Sequence, residues 1–162
     1  QKTSPIEETS VEQPQFKEPV KVVKDGPTDN PDKVKAAVTW MAGDLRNHSE
    51  IIDLEFLANL LSSGNASPLY KGLIASGYGS RLIETELSTY TKFPYFTIGL
   101  DGIDKNDPDL LKRVNNIFND ILENGFDTEY VTSLLHSFEI AQREVSASQG
   151  IKLWSNRLLL DP

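Results

Sequence analysis

This chain has no cysteine and just two histidines. The first absence removes disulfides and thiolate metal sites, and it fits a reducing compartment. The second leaves His48 and His136 as the imidazoles, far apart in sequence. A catalytic zinc site usually takes three protein ligands and keeps a fourth position open, so the chain is short of donors. Long apolar runs are also missing: none approaches the roughly 18–20 residues that span a bilayer. Positive charge is sparse and scattered, with 16 Lys and Arg against 24 Asp and Glu, a net charge of -8. Nucleic-acid recognition needs clustered cations to neutralise phosphates. Neither nucleic acid nor a membrane is therefore an expected partner.

What is present suits one soluble domain. The 162 residues, 38% of them hydrophobic, are enough for a single packed core. Residues 1–19 are rich in Pro, Glu, Gln, Thr and Ser, and bury too little apolar surface to offset ordering entropy. They read as a linker, followed by a folded domain over 20–162. The run Val20-Lys21-Val22-Val23 is a candidate edge strand before the Gly26-Pro27 break. No Met or targeting segment opens the chain at Gln1. Leu158, Leu159 and Leu160 run directly into Asp161-Pro162, so the sequence is expected to be an excised piece, truncated at its C-terminal end.

Periodicity places the elements. Lys33–Met41 alternates, with Val34, Ala36, Val38 and Trp40 on one face, which predicts a strand. Over 51–61 the period becomes helical: Leu54, Leu57, Leu60 and Leu61 form a stripe that stops at Gly64. Ser67-Pro68 supplies an N-cap and a first-turn proline for a second helix with Leu69, Tyr70, Leu73 and Ile74 buried and Gly77 at C′. Residues 82–90 return to period two, placing Ile83 and Leu87 opposite Glu84, Glu86 and Ser88. Residues 95–100 are a further strand with Phe96, Ile98 and Leu100 together. From Asp107-Pro108, a helix carries Leu110, Leu111, Val114, Ile117, Phe118, Ile121 and Leu122 and ends at Gly125. Asp127 caps another, with Phe126 and Val131 as a hydrophobic staple. This order predicts a two-layer α+β fold: a mostly antiparallel sheet with helices on one face.

Sites that could carry chemistry are weak. His136-Ser137-Phe138-Glu139-Ile140 has one imidazole and one carboxylate of a helical zinc motif, but Ile140 stands where the second His belongs. His48 lies in a polar stretch. No G-x-S-x-G elbow occurs. Residues 62–68 lead into a helix start but lack the Lys-Ser/Thr ending of a phosphate loop, so they read as an interhelix turn. Asn47-His48-Ser49 and Asn65-Ala66-Ser67 match the glycosylation pattern without a secretory context.

The stretch 60–74, with Ser62-Ser63-Gly64-Asn65-Ala66 before Ser67-Pro68-Leu69-Tyr70, resembles the pitrilysin/insulinase superfamily of zinc peptidases. Ala75-Ser76-Gly77-Tyr78-Gly79-Ser80 and the run 126–144 are similar to its presequence-protease branch, and the resemblance covers about 16–162. It implies a parent with four homologous α+β domains in two hinged halves around a chamber. The first such domain holds an inverted H-x-x-E-H motif and a distal Glu as zinc ligands. This chain looks like the second, non-catalytic domain. When 55–64 is laid on the motif helix, Glu55, Ala58 and Asn59 replace His, Glu and His, which removes both imidazoles and the water-activating carboxylate.

The resemblance therefore implies no catalytic, cofactor or metal residue in this fragment, with zinc in the parent's catalytic domain. The expected role is a structural domain of a large ATP-independent metalloendopeptidase. That parent would degrade presequences and other unstructured peptides, in the mitochondrial matrix by resemblance. Expected partners are the other domains of the same polypeptide and the parent's peptide substrates. The alternative is a stand-alone, non-enzymatic interaction domain of the same fold.

Overall fold

The computed structural model describes residues 16–26, 30–43, 47–89 and 93–143. Most of the linker reading at 1–19, and the apolar tail at 158–160, lie outside these residues. Three strands form one sheet: β1 (Lys33–Met41), β2 (Arg81–Ser88) and β3 (Tyr95–Asp104). Their order is β1-β3-β2, and both pairings are antiparallel. The last of the described strands in sequence is thus the central one. The hairpin pairing expected for the second and third strands is present.

Two irregularities aim side chains at the core. Val34 pairs with Ile103 but Ala36 with Leu100, so β3 carries one extra residue, beside Gly102 at φ 78°. The bulge returns Ile103 to the face of Leu100 and Ile98. On β2, Leu82 pairs with Leu100 and Leu87 with Phe96, with a shift between Ile83 and Glu86. Here Glu84 has φ 45°, a left-handed conformation uncommon outside glycine. The bulge makes Leu82 and Leu87 share the core face. Strict alternation instead grouped Ile83 with Leu87; Ile83 lies opposite Gly99 on the other face.

The helical layer comprises α1 (His48–Ser62), a π-helical segment (Tyr70–Ala75), α2 (Leu110–Asn124) and α3 (Thr128–Arg143). Leu61, Leu69, Leu73, Ile98, Leu100, Ile103, Leu110 and Val114 form the buried core, flanked by Val34, Val38, Trp40, Phe96 and Phe118. Each fully buried Leu or Ile contributes about 2 kcal/mol of transfer free energy. Trp40 stacks on Phe96 at 6.4 Å and lies 6.0 Å from Phe118, tying β1 to β3 and α2. Thr39 and Met41, on the opposite sheet face, are exposed. The α+β architecture read from the sequence is the one observed.

Several local expectations need correction. Val20, Val22 and Val23 form no strand and are 69–79% exposed. The helix read as starting at Asp107-Pro108 starts at Leu110, capped by Asp109, whose carboxylate accepts from the Lys112 N–H at 3.1 Å. Asp107 instead pairs with Arg113 at 3.2 Å, and its backbone carbonyl accepts from the Tyr78 hydroxyl. Leu57 is 41% exposed, and Ala58 takes its place in the interior. The expected second helix does start at Ser67-Pro68, but its backbone widens into a π turn. Gly72 there lies so close to Ile117 that a Cβ would come within 2.5 Å of its Cδ1.

Candidate functional site

Asn47 starts α1 by accepting from the Glu50 N–H at 3.4 Å. Along the helix, positions 55, 58 and 59 are spaced to share a face. That face turns toward β2. Glu55, Ala58, Asn59 and Ser62 form one wall of a cleft of about 220 Å³; Thr85, Glu86 and Leu87 of β2 form the other. The three positions aligned with a catalytic motif are thus brought together beside an edge strand of the described sheet. The β2 wall could not be anticipated, because the bulge between Ile83 and Glu86 has no signature in the residue types.

The groups in the cleft are poor metal donors. Partial burial raises the Glu55 carboxyl above its ordinary range. Ala58 offers only a methyl group. The Asn59 amide is turned back on its own helix: its Nδ2 donates to the Glu55 carbonyl at 2.8 Å, and its Oδ1 accepts from the Ser63 hydroxyl at 3.1 Å. No group of three or more His, Cys, Asp or Glu side chains is placed to hold a metal ion among the described residues. The cleft residues do not fit the zinc ion that the family's catalytic domains imply, and no chemical step is derived through it.

The two histidines lie on separate helices. His48 is the first residue of α1. His136, on α3, is 77% exposed with its Nδ1 3.9 Å from Glu139, and Ile140 is 59% exposed beside it. The small-residue stretch is a turn: the Ser67 hydroxyl, fully buried, donates to the Gly64 carbonyl at 2.8 Å and accepts from the Tyr70 N–H at 3.4 Å. Ser67 is therefore committed to the backbone, and Asn47 to its cap. Asp127 caps α3 as expected, accepting from the Glu129 and Tyr130 N–H groups at 2.9 and 3.3 Å. Sequence reading did not find a second groove of about 480 Å³, floored by Pro68, Gly72, Ile117, Ile121 and Phe126.

Fold and cleft together describe an α+β domain whose helix α1 presents Glu55, Ala58 and Asn59 to a cleft beside β2. Residues 1–138 match the family model described as the Peptidase M16 inactive domain. The chain belongs to the M16 peptidase family and aligns with its inactive domain. It is similar to the mitochondrial presequence protease of Emericella nidulans, 32% identical over 151 residues, covering 89% of this chain and 14% of that protein. The Xenopus laevis presequence protease is 35% identical over 121 residues, covering 74% of this chain and 12% of that protein. For the Mus musculus presequence protease the identity is 32% over 130 residues, covering 79% of this chain and 12% of that protein. The chain thus spans 12–14% of the length of these relatives. No described helix is long and apolar enough to cross a membrane.

Proposed function

We propose that this chain is a non-catalytic structural domain of a large, ATP-independent zinc metalloendopeptidase of mitochondria, most simply of the matrix. The parent degrades presequences and other unstructured peptides. The domain packs on its sister domains and lends a wall to the substrate chamber. One observation carries the reading: Glu55, Ala58 and Asn59, the positions we align with a zinc motif, share one cleft, and the Asn59 amide is already bonded to the helix. Similarity to presequence proteases supports the location and substrate class. Exposed Ile52 and Leu57 on α1, with Leu135 and Ile140 on α3, supply apolar surface suited to contact with other domains.

The test is zinc analysis with peptide hydrolysis. The purified protein is expected to hold no stoichiometric zinc and to show no chelator-sensitive cleavage of an unstructured peptide. One zinc per molecule with chelator-sensitive hydrolysis would overturn the reading. In the full-length parent, Leu57→Asp together with Ile140→Asp is expected to lower peptide turnover while zinc content stays constant. Unchanged turnover would remove these residues from the interdomain surface.

A further inference from the structure

Asn124-Gly125 is the one Asn-Gly pair in the sequence. It arises from a structural demand. Helix α2 ends with residue 125 at φ 74°, where glycine is the residue without steric cost, and Asn124 is the last helical residue before it. Asn-Gly is also the dipeptide whose side-chain amide reacts most readily with the following backbone nitrogen, because glycine offers no side chain to hinder approach.

We propose that Asn124 is a spontaneous deamidation site, held back by the last turn of α2 and released when that turn opens. In the reaction the Gly125 backbone nitrogen attacks Asn124 Cγ. A new bond forms between that nitrogen and Cγ, the bond from Cγ to Nδ2 breaks, and ammonia departs with the proton lost from the amide. Water then opens the resulting succinimide at either carbonyl, leaving Asp or isoaspartate at position 124.

Two hydrogen bonds oppose the attack in the folded domain. The Gly125 N–H donates to the Ile121 carbonyl at 2.8 Å, so the nucleophilic nitrogen is committed to the helix end. The Asn124 Nδ2 donates to Asp120 Oδ1 at 2.8 Å, which holds the side chain along the helix and away from the following peptide. Asn124, Asp120 and Gly125 are all exposed, so water and base have access once these bonds break. The product carboxylate stands one turn from Asp120, at the negative end of the helix dipole. Deamidation therefore weakens the turn that restrained it and favours further opening. Asp120 and Gly125 also line the groove floored by Gly72, Ile117 and Phe126, so the new charge appears at that rim.

The test follows Asn124 by peptide-mapping mass spectrometry during incubation of the protein at mildly alkaline pH, in native buffer and in denaturing urea. Conversion is expected to be roughly tenfold or more slower in native buffer, the factor set by releasing two hydrogen bonds of ordinary net strength. Asp120→Ala, at an exposed position, is expected to speed conversion in native buffer and leave the urea rate unchanged. Equal rates for the wild-type protein in the two solvents would overturn the gating. An Asp120→Ala rate unchanged in native buffer would remove Asp120 from it.

Discussion

The Tyr130 hydroxyl, at the start of α3, lies 2.9 Å from the Ser63 carbonyl oxygen at the end of α1, with the Leu60 carbonyl at 3.1 Å. The last carbonyls of a helix have no intrahelical donor, and here a side chain from another helix supplies one. Partial burial raises the Tyr130 pKa above its ordinary value, consistent with a phenol that stays protonated and donates. Edge-on packing of Phe56 against Phe138, at 5.4 Å, joins the same two helices further along.

Tyr130→Phe keeps the ring and removes the donor. It is expected to cost about 1 kcal/mol, the net worth of one hydrogen bond. Urea unfolding should show a lower midpoint with an unchanged slope. Because α1 carries Glu55, Ala58 and Asn59, backbone amide exchange over 59–63 should also rise. An unaltered exchange rate there would separate Tyr130 from the helix end.

Ser67→Ala tests the turn before the π segment. The hydroxyl is fully buried, donates to Gly64 and accepts from the Tyr70 N–H. Its loss leaves the Tyr70 N–H short of a partner, while the Gly64 carbonyl keeps the Ser67 N–H at 3.2 Å, and should cost about 1 kcal/mol. Ser67→Thr keeps the hydroxyl but adds a methyl at a position with no exposed surface, so it should recover only part of that loss. The measurement is the urea midpoint of each variant.

Two glycines separate steric from conformational demand. A Cβ at Gly99 would strike the Ile83 carbonyl oxygen across the β2–β3 ladder, and paired backbone has no rotamer through which to swing aside. Gly99→Ala is expected to cost about 3 kcal/mol, the upper end of ordinary overpacking. Gly64 has φ 72° with nothing within 4 Å of an added Cβ. Gly64→Ala should therefore cost only the left-handed backbone penalty, about 1 kcal/mol. Thermal unfolding of the pair would check the ranking, and equal losses would contradict it.

The sequence made β1 legible to its end residues because Val34, Ala36, Val38 and Trp40 alternate without interruption. The Asp127 cap and the Gly125 stop were legible because helix ends impose specific chemistry on one or two residues. The β2 and β3 bulges were not. Each inserts one residue, which reverses the face of everything beyond it while leaving composition untouched. The strand read from the sequence stops at Leu100, yet β3 continues to Asp104 and recovers Ile103 for the core. The π turn sets Gly72 close against Ile117, a tertiary contact that no local pattern reports. At the cleft, the helix that carries Glu55, Ala58 and Asn59 could be read from the sequence. The opposing Thr85, Glu86 and Leu87 required the β2 bulge.

Glu55 gives the cleft a pH signature. Burial raises its carboxyl pKa, so ionisation is harder in the folded state than in the unfolded one. Its favourable contribution is complete below the ordinary carboxylate range and disappears as pH rises through the elevated folded value. Glu55→Gln abolishes that dependence. The variant should gain stability over wild type as pH is raised from the acid side toward neutrality, with the two converging below the ordinary Glu range. Asp104 provides the opposite slope: the Asn106 backbone N–H, at 2.9 Å, lowers its pKa, so that stabilisation is present above the ordinary Asp value and lost as pH falls through the folded one. Both proteins should keep this acid limb. Urea midpoints measured across the acid-to-neutral range provide the check. A Glu55→Gln curve parallel to wild type would mean that the carboxylate is fully solvated and that the α1–β2 cleft imposes no desolvation on it.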